Sequence, residues 1–264
     1  MGMMTGILVA AFLVGGTGLL IGIFLGIAGE KLAVEVDERE IAVREELPGN
    51  NCGGCGYPGC DGLAKAIAEG EAPVNACPVG GDAVGKKIAA IMGAEVVEGR
   101  KMVAFVHCTG DCEKTSNVYQ YDGVADCAFV KMVPSGGPKS CKAGCLGYGN
   151  CVKACPFDAI RVVNGVAVVN KEACKGCKKC IAACPKGLIG LVPYDAVSHI
   201  GCSTKEKGKP VMNACKVGCI TCKKCEKNCP EQAITIENNN PVIDYGKCTN
   251  CGKCKEGCPR KCII

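Results

Sequence analysis

The chain has 264 residues, a formal charge of +5, no Trp and 26 Cys. A cysteine share of about a tenth belongs to small secreted disulfide scaffolds. This chain is too long for that class, and it gathers most of its cysteines in tight C-x-x-C runs followed by Pro, neighbours that pair poorly as disulfides but wrap readily around metal.

In chain order, Gly6–Ala28 comes first, uncharged and apolar throughout. At about 1.5 Å rise per residue it can cross the ~30 Å hydrocarbon layer. A cleaved signal peptide would want a basic leader and a shorter apolar stretch. Met1–Thr5 carry no charged side chain, so residues 1–30 are expected to be a retained transmembrane anchor. Gly18, Gly22 and Gly26 stand at small-xxx-small spacing, which suits packing against other membrane helices, although glycine is common in spans generally. Lys31, Arg39 and Arg44 follow the span and nothing basic precedes it. That predicts a single pass with the remainder on the cytoplasmic side, where thiols stay reduced.

Residues 31–95 read as an acidic linker, Glu35–Glu46, and then a small helical [4Fe–4S] domain. Its candidate ligands are Cys52, Cys55, Cys60 and Cys77, spaced C-x2-C-x4-C-x16-C-P. The glycines between them let backbone turn around a cluster and aim N–H groups at its sulfurs. Asp61–Glu69 has a helical pattern and Pro73 stops it. A four-thiolate zinc site would use similar spacing; glycine richness and the motifs downstream favour iron. Residues 96–134 are a connecting region that holds Cys108, Cys112 and Cys127, with Lys101–Val106 reading as a strand.

Residues 135–195 and 196–264 repeat one plan. Three of their four half-motifs are C-x2-C-x2-C-x3-C-P. That run marks bacterial two-cluster ferredoxins, in which the fourth cysteine ligates the other cluster. Cross-ligation predicts the sets Cys219, Cys222, Cys225 and Cys258; Cys248, Cys251, Cys254 and Cys229; and Cys174, Cys177, Cys180 and Cys155. The fourth set departs from the pattern, since Tyr148 stands where the second copy has Cys222. Cys141 is expected to fill in, beside Cys145, Cys151 and Cys184. Asn164-Gly165 between two apolar runs predicts a hairpin with a type I′ turn. Ala233–Glu237, Asn238–Asn240 and Pro241–Asp244 read as a looser equivalent. The fold class is therefore α+β: one transmembrane helix, a small helical domain and two ferredoxin-like units.

Five [4Fe–4S] clusters are expected. A sixth, from four of Cys108, Cys112, Cys127, Cys202 and Cys215, stays open against the alternative of buried free thiols, and Cys262 is left over. Each four-thiolate cluster contributes about −2, so five take the loaded protein to roughly −5 and the basic count implies no nucleic acid. His107 and His199 are too few for a His-rich zinc or haem site, and no C-x-x-C-H, nucleotide-binding glycine loop or Ser-His-Asp set is present. No catalytic residue for an organic substrate is expected; Asp61 and Glu69 read as solvated charge.

The order of parts, an apolar anchor, then CGGCGYPGC…ACP, then ferredoxin repeats, resembles the B subunit of the Rnf complex. The resemblance implies a membrane-bound, ion-translocating ferredoxin:NAD oxidoreductase, a translocase, in the bacterial inner (cytoplasmic) membrane. It implies soluble ferredoxin as electron donor and the other membrane and peripheral Rnf subunits as partners. It also implies that Cys52, Cys55, Cys60 and Cys77 carry the membrane-proximal cluster and that the ferredoxin cysteines carry the entry clusters. Two ferredoxin units, as in clostridial-type members, point to an anaerobe. The alternatives are a ferredoxin-like subunit of another oxidoreductase, Rsx-type reduction of a redox-sensing regulator, and a zinc or disulfide scaffold.

Overall fold

A computed structural model describes residues 2–31, 37–95 and 99–264. Helix α1 (Gly2–Lys31) is apolar on every side; Phe12, Val14 and Phe24 are among its exposed side chains. It contains the one stretch among the described residues, Thr5–Lys31, that is long and apolar enough to cross a membrane. A helix hydrophobic all round needs an apolar surrounding, and the rest of the described chain offers none.

Helices α2 (Glu38–Glu46), α3 (Cys60–Ala68) and α4 (Gly81–Met92) pack together as a small helical unit. Where an acidic linker was expected, the chain from Glu38 onward is helical and belongs to this unit; Glu35 lies outside the described residues. Asp37 caps α2 by accepting the Arg39 N–H at 2.8 Å. Val43 and Leu47, four residues apart, are buried against Leu63, Ile67 and Ile88. Helix α4 stops at Gly93, whose left-handed φ of 65° returns an N–H to the Ala89 carbonyl.

The remaining elements are short. They are β1 (Met102–Val106), α5 (Cys127–Met132), α6 (Asn150–Lys153), β2 (Ile160–Val163), β3 (Val166–Val169), α7 (Lys179–Ala183) and β4 (Ile189–Pro193). Then follow α8 (Lys209–Ala214), α9 (Lys224–Lys227), β5 (Ile234–Glu237), β6 (Asn240–Ile243) and α10 (Lys253–Glu256). β2 and β3 form the expected hairpin, with Asn164 and Gly165 both at positive φ as a type I′ turn requires. The second hairpin is as tight as the first: Asn238 and Asn239 take the two left-handed places and Asn240 already pairs with Glu237. β1 pairs antiparallel with β4, from Met102 opposite Pro193 to Val106 opposite Ile189. That strand extends the first ferredoxin unit backward in sequence.

The two ferredoxin units are joined along this edge. The Thr109 N–H donates to the Gly201 carbonyl at 3.0 Å, and the Gly201 N–H to the Cys262 carbonyl at 2.7 Å. The Phe105 and His199 rings lie 4.6 Å apart, and Nδ1 of His107 sits 2.8 Å from the Ile200 carbonyl. Both histidines are thus packing groups at the junction, and burial pushes both below the ordinary imidazole range.

Candidate iron–sulfur centres

The backbone around the ferredoxin cysteines repeats itself four times. Left-handed residues flank one position in each half-motif: Gly147 and Gly149 around Tyr148, Gly176 and Lys178 around Cys177, Thr221 and Lys223 around Cys222, Asn250 and Gly252 around Cys251. A further one lies three residues after each Cys-Pro cysteine, at Asp158, Gly187, Gln232 and Lys261. A left-handed non-glycine residue costs roughly 1–2 kcal/mol. The return on that cost is a concave frame whose N–H groups turn toward an anionic centre.

Sulfurs accept those N–H groups. Gly80 donates to Cys77 Sγ at 3.3 Å, Ala104 to Cys174 at 3.3 Å, Leu188 to Cys184 at 3.4 Å and Ala233 to Cys229 at 3.3 Å. Such bonds favour thiolate over thiol. At other positions burial acts the opposite way: it pushes the Cys180 thiol up to about 12, with Cys174, Cys177 and Cys155 around it, and Cys225 up to about 11 beside Cys219 and Cys222. Rings of mutually repelling buried thiols are stable as anions only with a cationic centre among them.

The thiols fall into separate groups. Cys55, Cys60 and Cys77 neighbour one another, and Cys52, next in the same loop, lies toward Cys177. Cys219, Cys222, Cys225 and Cys258 line one recess, and Cys248 neighbours Cys254. Beside Cys145, Cys151 and Cys184 the structure places Cys127, where Cys141 was expected, and these four line one recess. Cys141 faces Cys108, Cys202 and Cys215 instead. The reason is visible in how α5 is held. Asp126 caps the helix by accepting the Ala128 N–H at 2.7 Å, and Asn150 bridges, donating to Asp126 at 3.0 Å and accepting the Cys127 N–H at 2.9 Å. Tyr148 packs edge-on against Tyr121, 5.9 Å between rings, beside Cys127 and Val130. Tyr148, at the place a cysteine takes in the other three half-motifs, thus packs beside the helix that carries Cys127.

Among the described residues, which include every cysteine, none is in a disulfide. Nor do any three His, Cys, Asp or Glu side chains close on a point suited to a single metal ion.

Comparisons with known proteins agree with this anatomy. A family described as "Putative Fe-S cluster" matches residues 47–79, and two families described as "4Fe-4S dicluster domain" match 137–185 and 218–262. The B subunit of the Na+-translocating ferredoxin:NAD+ oxidoreductase complex of Acetobacterium woodii is 46% identical over 247 residues, 93% of this chain and 74% of that one. The B subunit of the proton-translocating ferredoxin:NAD+ oxidoreductase complex of Clostridium ljungdahlii is 42% identical over 233 residues, 88% of this chain and 82% of that one. The B subunit of the ion-translocating oxidoreductase complex of Methanosarcina acetivorans is 43% identical over 235 residues, covering 89% of each. The chain belongs to the family of Rnf B subunits.

In this Rnf protein Cys112 stands apart from these groups, and Cys262 lines the recess of Cys219, Cys222, Cys225 and Cys258 as a fifth thiol. Cys112 is exposed beside the first hairpin, its N–H on the Asn164 carbonyl at 3.0 Å. Cys262 is buried, with its sulfur 3.6 Å from that of Cys258. Its hydrogen bond holds the Cys219 thiol below the ordinary thiol range. Cys262 follows its Cys-Pro cysteine at the distance Leu188 follows Cys184, so it also fills the space of an apolar residue.

Proposed function

We propose that this chain is the membrane-anchored electron carrier of an ion-translocating ferredoxin:NAD oxidoreductase. It accepts single electrons from reduced soluble ferredoxin and delivers them to the other subunits. Helix α1 holds it in the cytoplasmic membrane, with the cysteine-bearing units on the cytoplasmic side. Five [4Fe–4S] clusters are held by Cys52, Cys55, Cys60 and Cys77; by Cys155, Cys174, Cys177 and Cys180; by Cys127, Cys145, Cys151 and Cys184; by Cys219, Cys222, Cys225 and Cys258; and by Cys229, Cys248, Cys251 and Cys254. Bound there, each cluster supplies one-electron exchange at a potential set by hydrogen bonds and solvent exposure.

The observation that carries this reading is the close approach of the helical unit to the first ferredoxin unit. A Cβ on Gly54 would stand 2.9 Å from Cα of Cys177 and 3.0 Å from its carbonyl oxygen, so only glycine fits. Two thiol-bearing loops from different units meet there with no side chain between them. The chain's own residues then have three tasks. The left-handed frames orient the thiols, the N–H donors bias the potentials, and lysines beside the sulfurs offset cluster charge. Lys186, for example, neighbours both Cys141 and Cys184.

Anaerobically purified protein mixed with prereduced ferredoxin tests the donor. Bleaching of the visible iron–sulfur absorption on mixing supports it. Protein that dithionite bleaches and ferredoxin does not would remove ferredoxin from the scheme. Protease access in inverted versus right-side-out vesicles tests the sidedness.

A further inference from the structure

Four cysteines absent from those five sets meet in one cleft of about 610 Å³ between the ferredoxin units: Cys108, Cys141, Cys202 and Cys215. They come in equivalent pairs. The Cys145 N–H donates to Cys108 Sγ at 3.3 Å, and the Cys219 N–H, at the matching place in the second unit, donates to Cys202 Sγ at 3.4 Å. The loops KAGC and KVGC close alike: the Gly144 N–H returns to the Cys141 carbonyl at 3.0 Å and the Gly218 N–H to the Cys215 carbonyl at 3.4 Å. The thiols also converge across the boundary. A Cβ on Gly110 would stand 3.2 Å from Cys215 Sγ and 3.9 Å from Cys108 Sγ, sulfurs that belong to different units.

The surroundings suit negative charge. Lys139 is only 6% exposed, its Nζ 2.8 Å from the Gly165 carbonyl, and its charge acts on Cys108. Arg260 donates to the Cys215 carbonyl at 2.7 Å. A buried cation with only carbonyls for partners is costly unless an anion lies near. Four packing thiols would need neither that lysine nor N–H groups aimed at two of the sulfurs.

We propose that Cys108, Cys141, Cys202 and Cys215 hold a sixth [4Fe–4S] cluster, completed by two thiols from each ferredoxin unit and joining the two units electrically. This ligand set rests on the reading that the chain carries clusters. It adds that neither ferredoxin unit completes this centre alone, and that Cys112 ligates nothing.

The test is iron and acid-labile sulfide per chain on anaerobically purified full-length protein. The wild type should hold about 24 iron atoms, at four per cluster. Cys108→Ser and Cys202→Ser should each lower this by about four, and the double variant by no more than either single, because both act on one cluster. Cys127→Ser with Cys141→Ser should lose about eight, being ligands of two clusters, while Cys112→Ser keeps the full count. A wild type with about 20 iron atoms would overturn the sixth centre while leaving the electron-carrier reading intact, and this needs no variant to fold. A Cys127→Ser/Cys141→Ser pair that lost only about four would overturn the ligand set. Wild-type protein with no iron would instead sink the carrier reading itself.

Discussion

The helical unit and the ferredoxin units are held together by different means. In the helical unit Val43, Leu47, Leu63, Ile67 and Ile88 interlock between three helices, and only Cys60 and Cys77 join the twelve-residue buried cluster. In the second ferredoxin unit half of the buried cluster is thiol: Cys202, Cys219, Cys254 and Cys262 share it with Ile200, Ile234, Ile243 and Ile263. Its sheet is one two-stranded hairpin and its helices run for one or two turns. A lone hairpin is marginal in water, and so is a helix of that length. The comparison teaches that a cysteine-rich chain need not depend evenly on its metal. Clusters are an addition to a fold in one region, whereas in the other the thiols that would hold them are half of the buried core.

The sharpest way to break that comparison is to strip the iron anaerobically with a chelator and follow hydrogen exchange. Residues 99–264 should lose protection altogether, while α2, α3 and α4 keep part of theirs. Loss of the helical unit first would reverse the argument. Next in size is Cys229→Ser. It should remove the cluster held with Cys248, Cys251 and Cys254, about four iron atoms, and leave the spectrum of the Cys219 cluster in place. Loss of the Cys219 signal instead would show that ligation does not cross between half-motifs. Leu63→Ala should destabilise the helical unit by about 2–5 kcal/mol in denaturant melts, with the iron content of the ferredoxin units unchanged. The smallest effect expected is from Gly93→Ala. A Cβ at that left-handed terminus should cost about 1 kcal/mol in the same melts and nothing in iron.

Local chemistry made much of this readable in advance. Asn164-Gly165 can hardly be anything but a tight turn, and the Cys-Pro runs announce their frames. The three asparagines Asn238–Asn240 were ambiguous because each tolerates the left-handed region; pairing of Asn240 with Glu237 decides which two use it. Helix α2 carried a signal that acidity obscured, Asp37 three residues before Glu40, the spacing of an N-terminal cap. Strand β4 was invisible because its partner, β1, lies more than eighty residues earlier. The placement of Cys127, rather than Cys141, beside Cys145 was hidden for a similar reason. Nearness in the chain favoured Cys141, and nothing local records that Asn150 and Tyr148 bring α5 to the ring.

The frame around Tyr148 has the same left-handed flanks as those around Cys177, Cys222 and Cys251, although it presents a phenol in place of a thiol. A corner of a cluster and the chain position that serves it are therefore separable. A lineage can acquire a thiol from a distant segment first and lose the original afterward, never passing through a defective protein. The path runs backward as well: Tyr148→Cys should restore the iron that Cys127→Ser removes, making this corner a place where ligands change hands without the cluster being given up.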